Sequence, residues 1–369
     1  MSFMPERRKN KYKDATCNKT SSASDLSSFF INLEKRYNLY EHDYNNIYIW
    51  PVIRFPLYSQ LIQLCGIYDK PHPAQKNTNN STLNKFKIWL GDIFLRNPFS
   101  PFINGDYILF PHKRKINNED IYSKYVLEKI GEKTLIIERD GMTAQQQARI
   151  LCPRYTQKIQ KKILKIYSKK PYRDSVLAEI ENEIYQFTNV EIDIQSLAWN
   201  KYIEFKIKYL YHYLLLLLKR PKKIYIVVAY CTPYITAAAQ QLGIPTAELQ
   251  HGVITPYHMG YSYPGRAYVP YQPDELLCFG RFWYESTDLA GNITPRIIGA
   301  PFIRELTGDA LYRDKDPDFI LFASQGSIGA QFLPIAIETA YLLPEYKIIY
   351  RLHPSEVRET YERQYNNYI

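Results

Sequence analysis

Two histidines stand at places where alternating strand–helix proteins do chemistry. His251 lies in the segment ELQHGVITPYHMGYSYPG, after an apolar run and directly before Gly252. An imidazole with an ordinary pKa of about 6.5 can take a proton from a hydroxyl near neutral pH, and a glycine beside it lets a substrate approach the backbone. The same position equally suits a histidine that only hydrogen-bonds a carbonyl. His258 reads first as loop structure; with Gly252 and Tyr261 it makes a candidate acceptor loop. His353 ends the run IIYRLHPSE, with Arg351 on the same strand face and Pro354 next. Backbone N–H groups at a helix start beyond Pro354, together with the charges of Arg351 and His353, form a candidate phosphate cradle, the alternative being an ordinary helix cap. Gly326 and Ser327, in the turn SQGSIG, stand at another strand-to-helix junction of the kind that receives a phosphate.

These residues need strands to carry them. Short β-rich runs are expected at 107–110, 134–137, 224–228, 247–250 and 276–279, with helical stretches such as 234–242 between them. That alternation predicts an α/β, Rossmann-like domain with a parallel sheet, whose ligands gather at the carboxyl ends of the strands. A second α/β piece is expected from a strand at 318–323, a helix at 329–343 and a strand at 347–352. Residues 1–25 read as a basic flexible tail, 26–305 as the Rossmann-like domain with helical insertions, and 306–369 as the start of a second domain. A helical region is expected at 47–67, before a polar gap at 70–84.

The 369 residues carry a formal charge of +10, with 46% hydrophobic and 15% aromatic residues. That composition excludes collagen, coiled-coil and mucin-like chains and leaves enough apolar material for a sizeable core. Five scattered cysteines without a C-x-x-C pair argue for a reducing compartment, and no structural metal is expected. No H-E-x-x-H, G-x-S-x-G, Walker or G-x-G-x-x-G pattern occurs. Tyrosines and basic charge alone do not make a nucleic-acid module, so no nucleic-acid partner is expected. The longest apolar run, 209–218 (YLYHYLLLLL), is too short to span a bilayer and reads as a buried or interfacial helix. Residues 158–170 (KIQKKILKIYSKK) place Ile159, Ile163 and Ile166 at helical spacing among lysines. Such a segment is either a solvated lysine face over a core stripe or a contact for anionic headgroups.

The order His251-Gly252, Tyr257-His258-x-Gly260-Tyr261, Pro273-Asp274-x-Leu276-Leu277-x-Phe279-Gly280, Ile298-Gly299-Ala300-Pro301 and Arg351-x-His353-Pro354 resembles bacterial transferases of GT-B type that build surface polysaccharides. Capsule-synthesis glycosyltransferases and CDP-glycerol glycerophosphotransferases are the most similar. The resemblance, which extends back to residues 46–54, implies a GT-B-like pair of Rossmann-like domains. It implies His251 as the base on the acceptor, and His353 with Pro354 on the donor phosphate; Arg351, Gly326 and Ser327 are added from charge and turn geometry. The expected activity is transfer of a sugar or polyol phosphate from a nucleotide-activated donor to a glycan or lipid-linked acceptor, with no cofactor beyond the donor. The expected location is cytoplasmic, peripheral at the inner face of the membrane. Relatives continue past the His-Pro motif, so the second domain is expected to be incomplete. The alternatives are an inactive or truncated binding protein of the same fold, and a nucleotide-sugar epimerase.

Overall fold

The computed structural model describes residues 22–67, 96–112, 120–131, 133–138, 150–167, 173–307, 319–325, 328–353 and 356. Helix α1 (Ala23–Arg36) starts on a reciprocal cap: the Asp25 N–H donates to Ser22 Oγ, and the Ser22 N–H donates back to the Asp25 carboxylate. Helix α1 thus starts ahead of the boundary at residue 26 expected from composition, because a Ser-x-x-Asp cap lies inside the polar stretch. Helix α2 (Trp50–Leu64) opens with a proline in its first turn and fills the helical region expected at 47–67.

Strand β1 (Tyr107–Phe110), helix α3 (Lys124–Ile130), β2 (Thr134–Ile137), β3 (Ile150–Leu151) and helix α4 (Arg154–Tyr167) follow. Next come α5 (Ser175–Thr188), the long α6 (Ile194–Lys219), β4 (Lys223–Val227), α7 (Pro233–Gln241), β5 (Thr246–Leu249) and β6 (Glu275–Cys278). Short α8 (Arg281–Glu285), β7 (Thr294–Ile297) and α9 (Pro301–Thr307) close this part.

The seven strands form one parallel sheet in the order β3-β2-β1-β4-β5-β6-β7. This is the α/β, Rossmann-like arrangement expected from the alternation, and its strand order reverses between β1 and β4. The strands are apolar on both sides because both faces are covered. Ile108, Phe110, Ile224 and Ile226 join Leu215 and Leu216 of α6 in the larger core, whereas Leu109, Val227, Ala247, Leu249 and Leu277 face Val126 and Leu127 of α3. Two strands were not legible in the sequence: β3 has only two residues, and β7 is an exposed edge strand containing Pro295, which a sheet tolerates only at its border.

The expected 158–170 helix is α4, but its isoleucines are not a core stripe. Ile159 and Ile166 are exposed, and it is Leu164 that turns toward α6 across a cavity. Among the described residues no helix is long and apolar enough to cross a membrane. A separate parallel pair, β8 (Phe319–Ala323) and β9 (Lys347–Arg351), is joined by α10 (Gly329–Leu342), close to the expected strand–helix–strand unit.

Candidate functional site at the strand-order switch

The carboxyl ends of β1, β4 and β5 lie side by side where the strand order reverses. His112 follows β1, the Val228–Cys231 turn follows β4, and His251 follows β5. Val228 sits at φ 66° and ψ 57°, a left-handed conformation that a β-branched residue adopts only under strain. That turn aims the Ala229 N–H at Glu248 on β5, where Oε1 accepts it at 2.9 Å. The same oxygen accepts the Tyr261 hydroxyl at 2.8 Å. Burial pushes the Glu248 carboxyl up to about 7, against the pull of these two donors.

His251 is half-buried among rings. His112 stacks on it at 5.6 Å between centroids, and Tyr122, Tyr230 and Tyr261 stand at 6.2, 6.0 and 6.5 Å. Its Nδ1 is 3.4 Å from the Tyr261 hydroxyl, and its Nε2 is 3.4 Å from that of Tyr230. With the Tyr261 proton given to Glu248, the Tyr261 oxygen faces Nδ1 as an acceptor. This polarity favours the proton on Nδ1 and leaves a lone pair on Nε2. Burial, then His112 and His258, depress the His251 pKa to about 4, so the ring is neutral at pH 7. The ring is thus unprotonated across the neutral range, and the same burial makes it a weaker proton acceptor than a free imidazole.

The surroundings hold this ring cluster in place. Asp120, itself buried, accepts from the His112 N–H at 2.9 Å, from the Tyr122 N–H at 3.0 Å and from the Ser123 hydroxyl at 2.7 Å. Gln250 accepts from the Phe279 N–H and donates to the Gly252 carbonyl, both at 2.8 Å, tying the end of β5 to that of β6. Farther out, Glu34 and Arg54 form a fully buried ion pair. Trp50 Nε1 also donates to Glu34, and Arg54 donates to the Met259 carbonyl while lying 4.6 Å from the Tyr263 ring centre. Burial works against the Arg54 charge, but Glu34 holds its pKa above the ordinary value. The loop after His251 is thus clamped by α1 and α2.

The expected acceptor-loop residues divide. Gly252 is exposed, with open space where a Cβ would stand, as an approach point requires. His258 accepts the Gly260 N–H on Nδ1 at 3.1 Å and stacks on Phe55, and burial lowers its pKa to about 4. It organises the loop. Tyr261 is 3% exposed and meets Glu248 and His251 rather than solvent, so its place is behind the base and not in front of it. Arg351 and His353 end β9, in the separate two-stranded unit. There the Glu356 carboxylate accepts from the His353 N–H at 2.5 Å and the Ser324 hydroxyl at 2.8 Å, beside the expected cradle, whose N–H groups beyond Pro354 lie almost wholly outside the described residues. Gly326, Ser327 and Pro354 lie outside the described residues.

Beside His112 opens a cavity of about 560 Å³ between the ends of β1, β2 and β4 and helices α4 and α6. Phe110, Ile137, Leu164 and Val227 make its walls apolar, and Lys161, Lys208 and Glu204 supply charge. Lys208 is paired with Glu204 and lies 4.9 Å from the Tyr234 ring centre. His112, Tyr230 and Glu248 were missed from the sequence. His112 could have been found, because it ends a strand exactly as His251 does; Glu248 reads as an ordinary residue inside a strand.

The fold and this site define the chain as an α/β protein of Rossmann-like type, with its reactive side chains at the strand-order switch. Comparison with known proteins finds no matching family model and no matching curated protein.

Proposed function

We propose that the protein is a GT-B-like transferase of surface-polysaccharide synthesis, moving a sugar or polyol phosphate from a nucleotide-activated donor to a glycan acceptor. The observation that carries this reading is His251: a neutral imidazole at the carboxyl end of a central strand, with Nδ1 facing Tyr261 and Nε2 facing the Tyr230 hydroxyl, which an acceptor hydroxyl would have to displace or share. In this reading Nε2 takes the proton of an acceptor hydroxyl as that oxygen attacks the donor, and Gly252 gives the hydroxyl access. In the adjoining cavity Lys208 is paired with Glu204, and Lys161 gives the lining an excess positive charge that suits an acceptor carrying negative charge. Arg351 and His353 are the residues through which the second unit would meet the donor phosphate. The test is transfer from a panel of nucleotide-activated sugars and polyols, with nucleotide release as the readout. Wild type should release one nucleotide in an acceptor-dependent way and His251→Ala should not; equal release by both would remove His251 from the reaction.

A second reading, a binding protein of the same fold that transfers nothing, is favoured by Glu356. Its carboxylate stands on the His353 N–H, where it repels the charge of a phosphate brought to His353. Nucleotide binding that strengthens in Glu356→Gln, without transfer to any acceptor, would select this reading.

A further inference from the structure

Helix α6 is apolar on all sides over its last turns, a composition normally reserved for a helix enclosed by protein. His212, Leu215 and Leu216 face inward. The opposite side is open: Leu210, Leu214, Leu217 and Leu218 are 57, 47, 42 and 44% exposed. Their i, i+4, i+7, i+8 spacing aligns them in one stripe. Phe102, 94% exposed, stands at the same end of the helix. Lys219 turns inward there and donates to the carbonyls of Ser100 and Ile103, both at 2.5 Å, which holds the turn bearing Phe102 against the helix end.

Among the described residues the charge around this apolar surface is mainly positive: Lys206, Arg220, Lys222 and Lys133 are exposed near it, and Asp106 pairs with Lys222 and Lys133. Helix α4, packed on α6, adds exposed Lys158, Lys162 and Lys165 with exposed Ile159 and Ile166, and its sequence contains no acidic residue.

We propose that this face, the leucine stripe of α6 with Phe102 at its end, docks on a lipid bilayer carrying anionic headgroups. Leucines and a phenylalanine entering the acyl boundary, with lysines and arginines at the headgroup level, match an interfacial helix. The inference does not depend on the transfer chemistry.

Vesicle flotation of the full chain tests it, with phosphatidylcholine alone against an equimolar mixture with phosphatidylglycerol. Wild type should float with the anionic vesicles and do so less as salt rises. Leu214→Ser/Leu217→Ser should weaken binding by at least about tenfold at an unchanged melting temperature. Arg220→Gln/Lys222→Gln should weaken it and flatten the salt dependence. Should the leucine pair fail to fold, Phe102→Ser on its exposed turn carries the same expectation. The proposal is overturned by absence of binding to anionic vesicles, by binding that ignores the leucine and phenylalanine changes, or by a wild-type dimer in light scattering that the leucine pair turns into a monomer.

Discussion

At the residue scale, His251 has a neutral ring beside the exposed Gly252, with Tyr230 at its Nε2, and Glu248 and Tyr261 set its orientation from behind. Replacing His251 by alanine should lower transfer by about 10²- to 10⁴-fold, the usual worth of a general base, with little change in melting temperature. Tyr261→Phe removes the link to Glu248 without opening a cavity. It should lower the turnover rate more than it raises the substrate concentration needed, as steady-state kinetics would register. The depressed pKa of His251 also fixes a pH dependence. An acid limb near pH 4–5 is expected in the rate profile, and one near 6.5 would contradict the buried environment. Glu248 titrates in the opposite sense. Its folded pKa of about 7 lies above the unfolded value, so the stability it contributes is full below about pH 4.5 and is lost as pH rises through 7. Glu248→Gln should therefore gain on wild type in thermal melts as pH goes from 5 to 8, by roughly 2–3 kcal/mol. A constant difference would refute this.

At the element scale, the site depends on two supports that lie far from it in the chain. Arg54 on α2 and Glu34 on α1 clamp the loop after β5 through the Met259 carbonyl and the Tyr263 ring. Arg54→Ala should cost about 3–5 kcal/mol, because it leaves a buried carboxylate without its partner, and Glu34→Met with Arg54→Met should recover part of that loss in urea unfolding. Gly260 and Gly252 give a contrast within one loop. A Cβ at Gly260 would stand 2.8 Å from the Tyr230 ring and 2.9 Å from His258, whereas at Gly252 it would meet nothing within 4 Å. Gly260→Ala should therefore destabilise by about 1–3 kcal/mol and Gly252→Ala hardly at all. What could be read from sequence follows the same logic. The strands β1, β2, β4, β5 and β6 were legible because apolar runs with helices between them leave little choice, and His251 was legible because it ends one of them. The Glu34–Arg54 clamp was not: nothing in the sequence tells which charged residues of two helices will be buried together. The left-handed turn at Val228 was read as strand because its residue type favours β structure, and the neighbouring Glu248 overrides that preference.

At the scale of the whole molecule, the reversal of strand order between β1 and β4 gathers His112, the strained β4 turn and His251 from distant parts of the chain. The expectation that His251 and His353 serve one reaction came from the resemblance to GT-B transferases, whereas the parallel sheet bears out the α/β, Rossmann-like class alone. The two-stranded unit carries Arg351 at the end of β9 and His353 just beyond it, with the Glu356 carboxylate on the His353 N–H. Whether the chain takes a nucleotide is thus the point on which the account turns. The direct measurement is a thermal-shift panel of the full chain with CMP, CDP, UDP and GDP. At about a hundred times the dissociation constant, binding adds about 2.7 kcal/mol, which raises the melting temperature by several degrees. The account predicts that one nucleotide stands out and that His353→Ala loses the shift; no stabilisation by any of them would contradict a nucleotide-dependent transferase.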